Sequence, residues 1–293
     1  MTTVRETVNR IRTVLGSIYS PGEIKAITAL IFRHLLNWPY VKVILSYDEQ
    51  IGDVTTKEID SMLDRLSRHE PIQYVLGEAR FYGLDLKVTP AVLIPRQETE
   101  GLVEMIVRDA GDREDLRVLD VCTGSGCIAL ALARNLRFPQ ITAIDISPDA
   151  LGVAKENAAR LRAKISFLTA DALQLSQTLS ENGLFDIIVS NPPYVLERER
   201  SQMEANVLDY EPEQAIFVPD SDPLRFYRPI AEYAAKALTG GGRLYFEINP
   251  FEADSIADML KSLGFTDIEI TLDMEKRRRF ASCTHPDTDS FNS

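Results

Sequence analysis

Residues 190 to 195 read Ser-Asn-Pro-Pro-Tyr-Val, and they end the apolar run Phe185 to Val189 abruptly. The types and order of these residues suit one kind of chemistry. The Asn191 side-chain oxygen and the Pro192 carbonyl are neighbouring hydrogen-bond acceptors, and the two prolines hold the chain extended around them. Tyr194 adds a flat aromatic face on which a planar group can stack. Amides and exocyclic amines are planar, and their delocalised lone pair makes the nitrogen a poor nucleophile. Two acceptors on its N–H groups would orient that nitrogen for attack. No general base is required beforehand, because the nitrogen can release its proton to water after the transfer. A plain proline turn at a strand end is the alternative, and it leaves Asn191 and Tyr194 without a task.

A second group of residues marks a ligand site. Asp120-Val121-Cys122-Thr123-Gly124-Ser125-Gly126-Cys127 joins an apolar strand to a helical stretch, Ile128 to Leu136. Glycines at such a turn let the backbone approach a ligand closely. The third glycine of a dinucleotide fingerprint is missing, with Ala129 in its place, so a nucleoside fits better than a pyrophosphate. Asp145 closes the next strand, where a carboxylate can accept from both ribose hydroxyls. Asp171, beyond a third strand, can accept from an adenine amino group or cap a helix. Cys122 and Cys127 flank the loop, read as small packing residues with no His nearby in sequence.

These side chains need a frame that brings four strand ends to one edge. Candidate strands are Arg117 to Cys122, Ile141 to Asp145, Ile165 to Thr169, Phe185 to Ser190, Arg243 to Ile248, Phe265 to Thr271 and Phe280 to His285. Helical patterns lie between most of them, which predicts a parallel sheet covered on both faces. The connection from Asp273 to Arg279 is too short for a crossover, so the last two strands should pair antiparallel. Its Arg277-Arg278-Arg279 triplet reads as a solvated turn. Ahead of the sheet, Val4, Val8, Ile11, Leu15 and Ile18 recur at helical spacing. Ser20-Pro21-Gly22-Glu23 reads as a capping box before Ile24, Ile27, Ile31 and Leu35. Thr55-Thr56-Lys57-Glu58 repeats the signal before Ile59, Met62, Leu63 and Leu66. The expected organisation is a helical domain over 1–71, a β-hairpin linker over 72–95 (Gln73-Tyr74-Val75, Phe81-Tyr82-Gly83, Leu84 to Val88), a sheet domain over 96–285 and a polar tail over 286–293.

Composition narrows the function. A formal charge of -12 on 293 residues, with no basic stripe, disfavours a nucleic-acid substrate. Three cysteines form neither a disulfide framework nor a zinc pattern, so no metal is expected and a reducing compartment fits. The start of the chain lacks the continuous apolar core of a signal peptide, and no stretch reaches membrane-span length. A cytoplasmic protein is expected, and a monomer, since no unclaimed apolar stripe is apparent.

A glycine loop after strand one, an acid after strand two and an acid after strand three resemble the class I S-adenosylmethionine-dependent methyltransferases, whose Rossmann-like seven-stranded α/β sheet has an antiparallel last strand. The Asn-Pro-Pro-Tyr motif is similar to that of amino-methyltransferases acting on adenine in DNA, guanine in RNA and glutamine in protein. Further stretches resemble the release-factor glutamine methyltransferase family: Glu70 to Gly77, Phe81-Tyr82-Gly83, Val92 to Glu100, Asp145 to Leu151 and Glu211 to Ala215. The likeness covers nearly the whole chain. It implies methylation of the glutamine side-chain nitrogen in the Gly-Gly-Gln motif of peptide-chain release factors, with the helical domain helping to dock the factor. It also implies site residues. S-adenosylmethionine would meet Asp120, Cys122, Thr123, Gly124, Ser125 and Gly126 at the first strand end, Asp145 and Ile146 at the second, Asp171 and Ala172 at the third, and Asn191. Asn191, Pro192, Pro193 and Tyr194 would clamp the glutamine, with Arg96 and Glu98 either at the pocket mouth or in a structural salt bridge. Gln97, Pro223 and Asn249-Pro250 stand where the family customarily has Pro, Gly and Gly. Two other readings stay open: a nucleic-acid amino-methyltransferase, which should show a basic groove, and a binding module without catalysis, which should have lost part of the Asp120, Gly124, Asp145, Asn191 set.

Overall fold

The computed structural model describes residues 2–179 and 184–286; the expected polar tail lies outside the described residues from 287 onward. The chain divides into two compact units, Met1–Glu78 with Glu204–Tyr210, and Ala79–Met203 with Glu211–Ser293.

The first unit is built from the helices Val4–Leu15, Pro21–Leu36, Tyr40–Leu45, Asp53–Leu66 and Ile72–Leu76. The second of these starts as its capping box predicts: Glu23 N–H donates to Ser20 Oγ, and Ser20 N–H to Glu23 Oε2. Thr3 and Glu6 form an equivalent box on the first. Val4, Val8, Ile11, Leu15, Ile24, Ile27, Ile31, Ile59, Leu63 and Leu66 meet in one apolar core. Two expectations fail here. Thr55 caps nothing: the helix begins at Asp53 behind Gly52, and the Thr56 hydroxyl donates back to the Gly52 carbonyl inside the first turn. Gln73-Tyr74-Val75 is helix rather than strand. Pro71 opens that turn and Gly77, at φ +72°, closes it, while three residues are too few for period 2 to be distinguished from helix.

A hairpin of Glu78–Phe81 and Leu84–Lys87, in the second unit from Ala79 onward, turns Phe81, Leu84 and Leu86 into the core. The main elements of this unit are α1 (Gln97–Ala110), β1 (Arg117–Val121), α2 (Cys127–Asn135), β2 (Gln140–Asp145), α3 (Pro148–Leu161), β3 (Ile165–Thr169), β4 (Phe185–Ser190), α4 (Tyr227–Ala237), β5 (Leu238–Glu247), α5 (Ala253–Ser262), β6 (Thr266–Leu272) and β7 (Arg278–Thr284). The strands form one seven-stranded sheet in the order β6-β7-β5-β4-β1-β2-β3. All neighbours pair parallel except β7, which is antiparallel to both β5 and β6, as the short connection requires.

The sheet is apolar on both faces because helices cover both. Val118, Ile141, Ala143, Ile187, Val189 and Tyr245 pack with α1 and α2 on one side. Leu119, Val121, Ile144, Ile188, Leu244 and Phe246 pack with α4 and α5 on the other. Strand order reverses between β1 and β4, so the segments leaving these two strands diverge and open a crevice at their carboxyl ends, where open α/β sheets bind ligands. Both functional motifs read from sequence leave the sheet there. No helix among the described residues is long and apolar enough to cross a membrane.

Candidate active site

The crevice is a cavity of about 360 Å³. Its floor is the loop after β1. Gly124 has φ +54°, and a Cβ added there would meet nothing within 4 Å, so the loop leaves free space for a ligand at that point. Asp145, at the end of β2, accepts from Gly124 N–H through Oδ2 at 2.9 Å and from Ser147 N–H through Oδ1 at 3.0 Å. Each oxygen keeps a lone pair, so the carboxylate can still accept from a vicinal diol. Burial pushes its pKa up, opposed by the backbone N–H groups that hold the charged form. Next to it Ile146 is 57% exposed, an apolar face on the cavity wall. Asp171 caps Leu173 N–H through Oδ1 at 2.9 Å and lines the cavity with Ala172. A nucleoside with a free diol and an amino-substituted base matches these donors, acceptors and apolar surfaces.

Asn157 holds the loop from below. This buried α3 residue donates from Nδ2 to the Ser125 carbonyl and to the Lys87 carbonyl, both at 3.0 Å, and accepts Lys87 N–H at 2.7 Å. The glycine loop, α3 and the hairpin are thereby joined.

Above the floor, Asn191 leaves β4 and lines the cavity. The neighbouring strands are stapled at this level, with Ser190 Oγ donating to the Val121 carbonyl at 2.7 Å. Strand register brings the surrounding polar groups together. Phe246 pairs with Ser190 and Glu247 with Phe280, so Glu247 at the end of β5, Asn191 just beyond β4 and Arg279 near the start of β7 stand at one level on three adjacent strands. Asn191 Nδ2 donates to Thr99 Oγ1 at 3.2 Å, and Thr99 Oγ1 donates to Glu247 Oε2 at 2.6 Å. The Tyr194 hydroxyl donates to Glu247 Oε1 at 3.1 Å and accepts from Arg279 Nη1 at 3.3 Å. The tyrosine hydroxyl is raised well above its ordinary pKa by burial and by the Glu247 charge, so it stays a donor. Asn249 ties the segment down further, donating to the Tyr194 carbonyl at 3.2 Å and to Glu199 Oε2 at 2.9 Å while capping Phe251 N–H.

A family model described as a methyltransferase domain matches residues 112–249, and one described as the PrmC N-terminal domain matches residues 6–77. A release factor glutamine methyltransferase of Bacteroides thetaiotaomicron is 43% identical, over 90% of this chain and 94% of its own length. The chain belongs to the release factor glutamine methyltransferase family. A second member, from Flavobacterium psychrophilum, is 40% identical over 89% of this chain and 91% of its own. A crystal structure of a methyltransferase from Pyrococcus furiosus shares the fold, with TM-score 0.50 at 16% identity, over 78% of this chain and 99% of that one.

Of the positions singled out in the family motifs, Arg96, Cys122, Thr123, Gly124, Ser125, Asp145, Ile146, Asp171, Ala172, Asn191 and Pro193 line the cavity. The others sit elsewhere. Asp120 is fully buried beneath the loop, accepting from Thr123 Oγ1 at 2.6 Å and Ala129 N–H at 3.2 Å; it shapes the turn from inside. Gly126, at φ +81°, is a packing glycine, because a Cβ there would press on Ala154 Cβ at 3.2 Å. Pro192 is buried, and the Tyr194 ring packs on the apolar core instead of lining the cavity. Glu98 faces a separate hollow with Tyr82, Gln97 and Met274. Arg96 is pinned by Glu211, Nη2 to Oε1 at 2.7 Å, and the same carboxylate accepts Ile94 N–H at 3.0 Å. Burial raises both loop thiols, Cys127 to about 12, which keeps them protonated. Arg279 corrects the solvated-turn reading of the arginine triplet: its side chain is 11% exposed and bridges Asp273 and Tyr194, while Arg277 and Arg278 pair with Glu275 and Asp254 at the surface. Thr99, Asn157, Glu247 and Arg279 were missed because their work depends on partners distant in sequence.

Proposed function

We propose that this chain transfers a methyl group from S-adenosylmethionine to the side-chain amide nitrogen (N5) of the glutamine in the Gly-Gly-Gln motif of peptide-chain release factors. The observation that carries the reading is the meeting of two half-sites in one crevice: a nucleoside slot ending in Asp145, and Asn191 with its amide nitrogen already engaged by Thr99. S-adenosylmethionine, when bound, supplies an electrophilic methyl group on a sulfonium sulfur.

The protein's own residues bind and orient. Asp145 accepts from the ribose hydroxyls, Asp171 accepts from the adenine amino group, and Ile146 and Ala172 cover the base. The Thr123 to Ser125 backbone and Cys122 flank the rest of the donor. Asn191 Oδ1, on the cavity wall, accepts an N–H group of the glutamine amide, which aligns its nitrogen lone pair with the methyl group, and Pro192, buried behind it, holds the segment extended. Pro193 bounds this acceptor side, and Tyr194 anchors the segment from the core side. Arg96, held by Glu211, shapes the mouth. No residue must remove a proton before transfer, because the methylated amide nitrogen loses its proton to water.

The acidic charge supports a protein partner over a phosphate backbone. The helical unit is read as a docking surface for the release factor, the enzyme as a monomer, and its place of action as the cytoplasm where translation ends. The test is label transfer from S-adenosylmethionine to a purified release factor, run beside duplex DNA and beside a factor whose Gly-Gly-Gln glutamine is replaced by alanine. Label on the intact factor alone is expected; label on DNA or on the alanine factor would overturn the substrate assignment.

A further inference from the structure

Glu247 is 1% exposed at the end of β5, a carboxylate placed where a charge is costly to keep. Nothing in the binding of donor or acceptor uses it directly. Its partners explain its presence. Both oxygens accept: Oε2 from the Thr99 hydroxyl at 2.6 Å, Oε1 from the Tyr194 hydroxyl at 3.1 Å. The Tyr194 hydroxyl in turn accepts from Arg279 Nη1, and Arg279 Nε donates to Asp273 Oδ2 at 3.3 Å. Burial pushes the Glu247 pKa up, and the Thr99 hydroxyl, the Arg279 guanidinium one hydroxyl away and the Tyr194 hydroxyl oppose that shift by holding the charged form, in which both oxygens accept as observed.

The direction of each hydrogen bond then follows from proton counting. An ionised carboxylate can only accept, so Thr99 must donate to it. A hydroxyl has one proton, so toward Asn191 the same oxygen can only accept. Asn191 must therefore present its NH2 group to Thr99, as it does at 3.2 Å. The amide oxygen is left pointing the other way, and Asn191 is on the cavity wall.

We propose that Glu247 and Thr99 are positioning residues for methyl transfer: through the chain Glu247–Thr99–Asn191 they fix which end of the Asn191 amide faces the acceptor nitrogen. The inference rests on the reading of Asn191 as the group that orients the acceptor amide. If the carboxylate were replaced by a donor, Thr99 could reverse, donate to the Asn191 oxygen and turn the NH2 group toward the acceptor. Donor would then meet donor, and the glutamine amide would lose its alignment. The α1 segment is drawn into the reaction by this chain, since Thr99 lies in its first turn.

The experiment compares Asn191→Ala, Thr99→Val, Thr99→Ser and Glu247→Gln in the full chain. It measures kcat and KM with a release factor as acceptor, S-adenosylmethionine binding by calorimetry, and thermal midpoints. Thr99→Val and Glu247→Gln are expected to lower kcat by roughly ten- to a hundredfold with donor affinity unchanged. Thr99→Ser, which keeps the hydroxyl, is expected to restore most of the rate. An active Thr99→Val beside an inactive Asn191→Ala would overturn the chain and spare the Asn191 assignment, whereas a fully active Asn191→Ala would overturn the assignment beneath it. Equal losses in Thr99→Val and Thr99→Ser, or a parallel loss of donor binding, would mean packing alone and would also overturn the proposal. If Glu247→Gln does not fold, the valine and serine pair decides.

Discussion

At Asp120 one carboxylate oxygen accepts from Thr123 and Ala129 while the other, buried, has no partner among the described residues. Burial pushes this acid up to about 7. Its unfolded value lies near 3.8, so between roughly pH 4 and 7 the native state holds a proton that the unfolded chain has lost. Its contribution to stability is therefore complete below pH 4 and is lost as pH rises to 7, with an upper bound of about 4 kcal/mol. Asp120→Asn should flatten that part of the pH profile; urea unfolding at pH 5 and pH 8 measures it, and parallel profiles for both proteins would contradict it. At Asp145 the carboxylate faces the cavity instead, so Asp145→Asn should weaken S-adenosylmethionine binding by roughly tenfold or more in calorimetry, with little change in fold. The sequence marked both acids as ligand contacts. What it did not reveal is direction, because an acid at a strand end can point into the crevice or under the loop.

Asn157 shows what the elements add. It is the only side chain described above that bonds the hairpin and the glycine loop at once, and Asn157→Ala would leave the Ser125 and Lys87 carbonyls without that donor. The expected cost is about 1–3 kcal/mol, seen as a lower thermal midpoint, together with weaker donor binding as the loop loosens. An unchanged melting temperature would show that water replaces the side chain freely. The strands were legible because apolar runs such as Phe185 to Ser190 are bounded sharply; β3 and β4 end where the residue pattern ends. Legibility failed for two different reasons: Gln73 to Val75, too short for its period to be read, took a helical turn between Pro71 and Gly77, and Arg279 was drawn from the turn into a buried pair with Asp273 by a tertiary contact. The hairpin alternation of Leu84 to Lys87 was legible, yet its attachment through Asn157, seventy residues on, was not.

Across the whole molecule, every residue that lines the cavity belongs to the second unit, whereas Glu204–Tyr210 joins the first unit from within the sequence of the second. Residues 79–293 alone are therefore expected to keep S-adenosylmethionine binding in calorimetry and to lose methylation of intact release factor; full methylation by this fragment would contradict a docking role for the helical unit. The order of the sheet could be anticipated from the alternation of strands and helices, because a right-handed parallel crossover leaves few arrangements open. The pairing of Glu247 with Thr99 could not, since 148 positions separate them and only the packing of α1 against β5 unites them. The acceptor atom distinguishes this reaction from other methyl transfers. The most direct measurement is tandem mass spectrometry of a release factor incubated with this enzyme and S-adenosylmethionine. One added methyl mass on the side-chain nitrogen of the Gly-Gly-Gln glutamine is the predicted result, and a methyl group on any other residue, with that glutamine unmodified, would contradict the account.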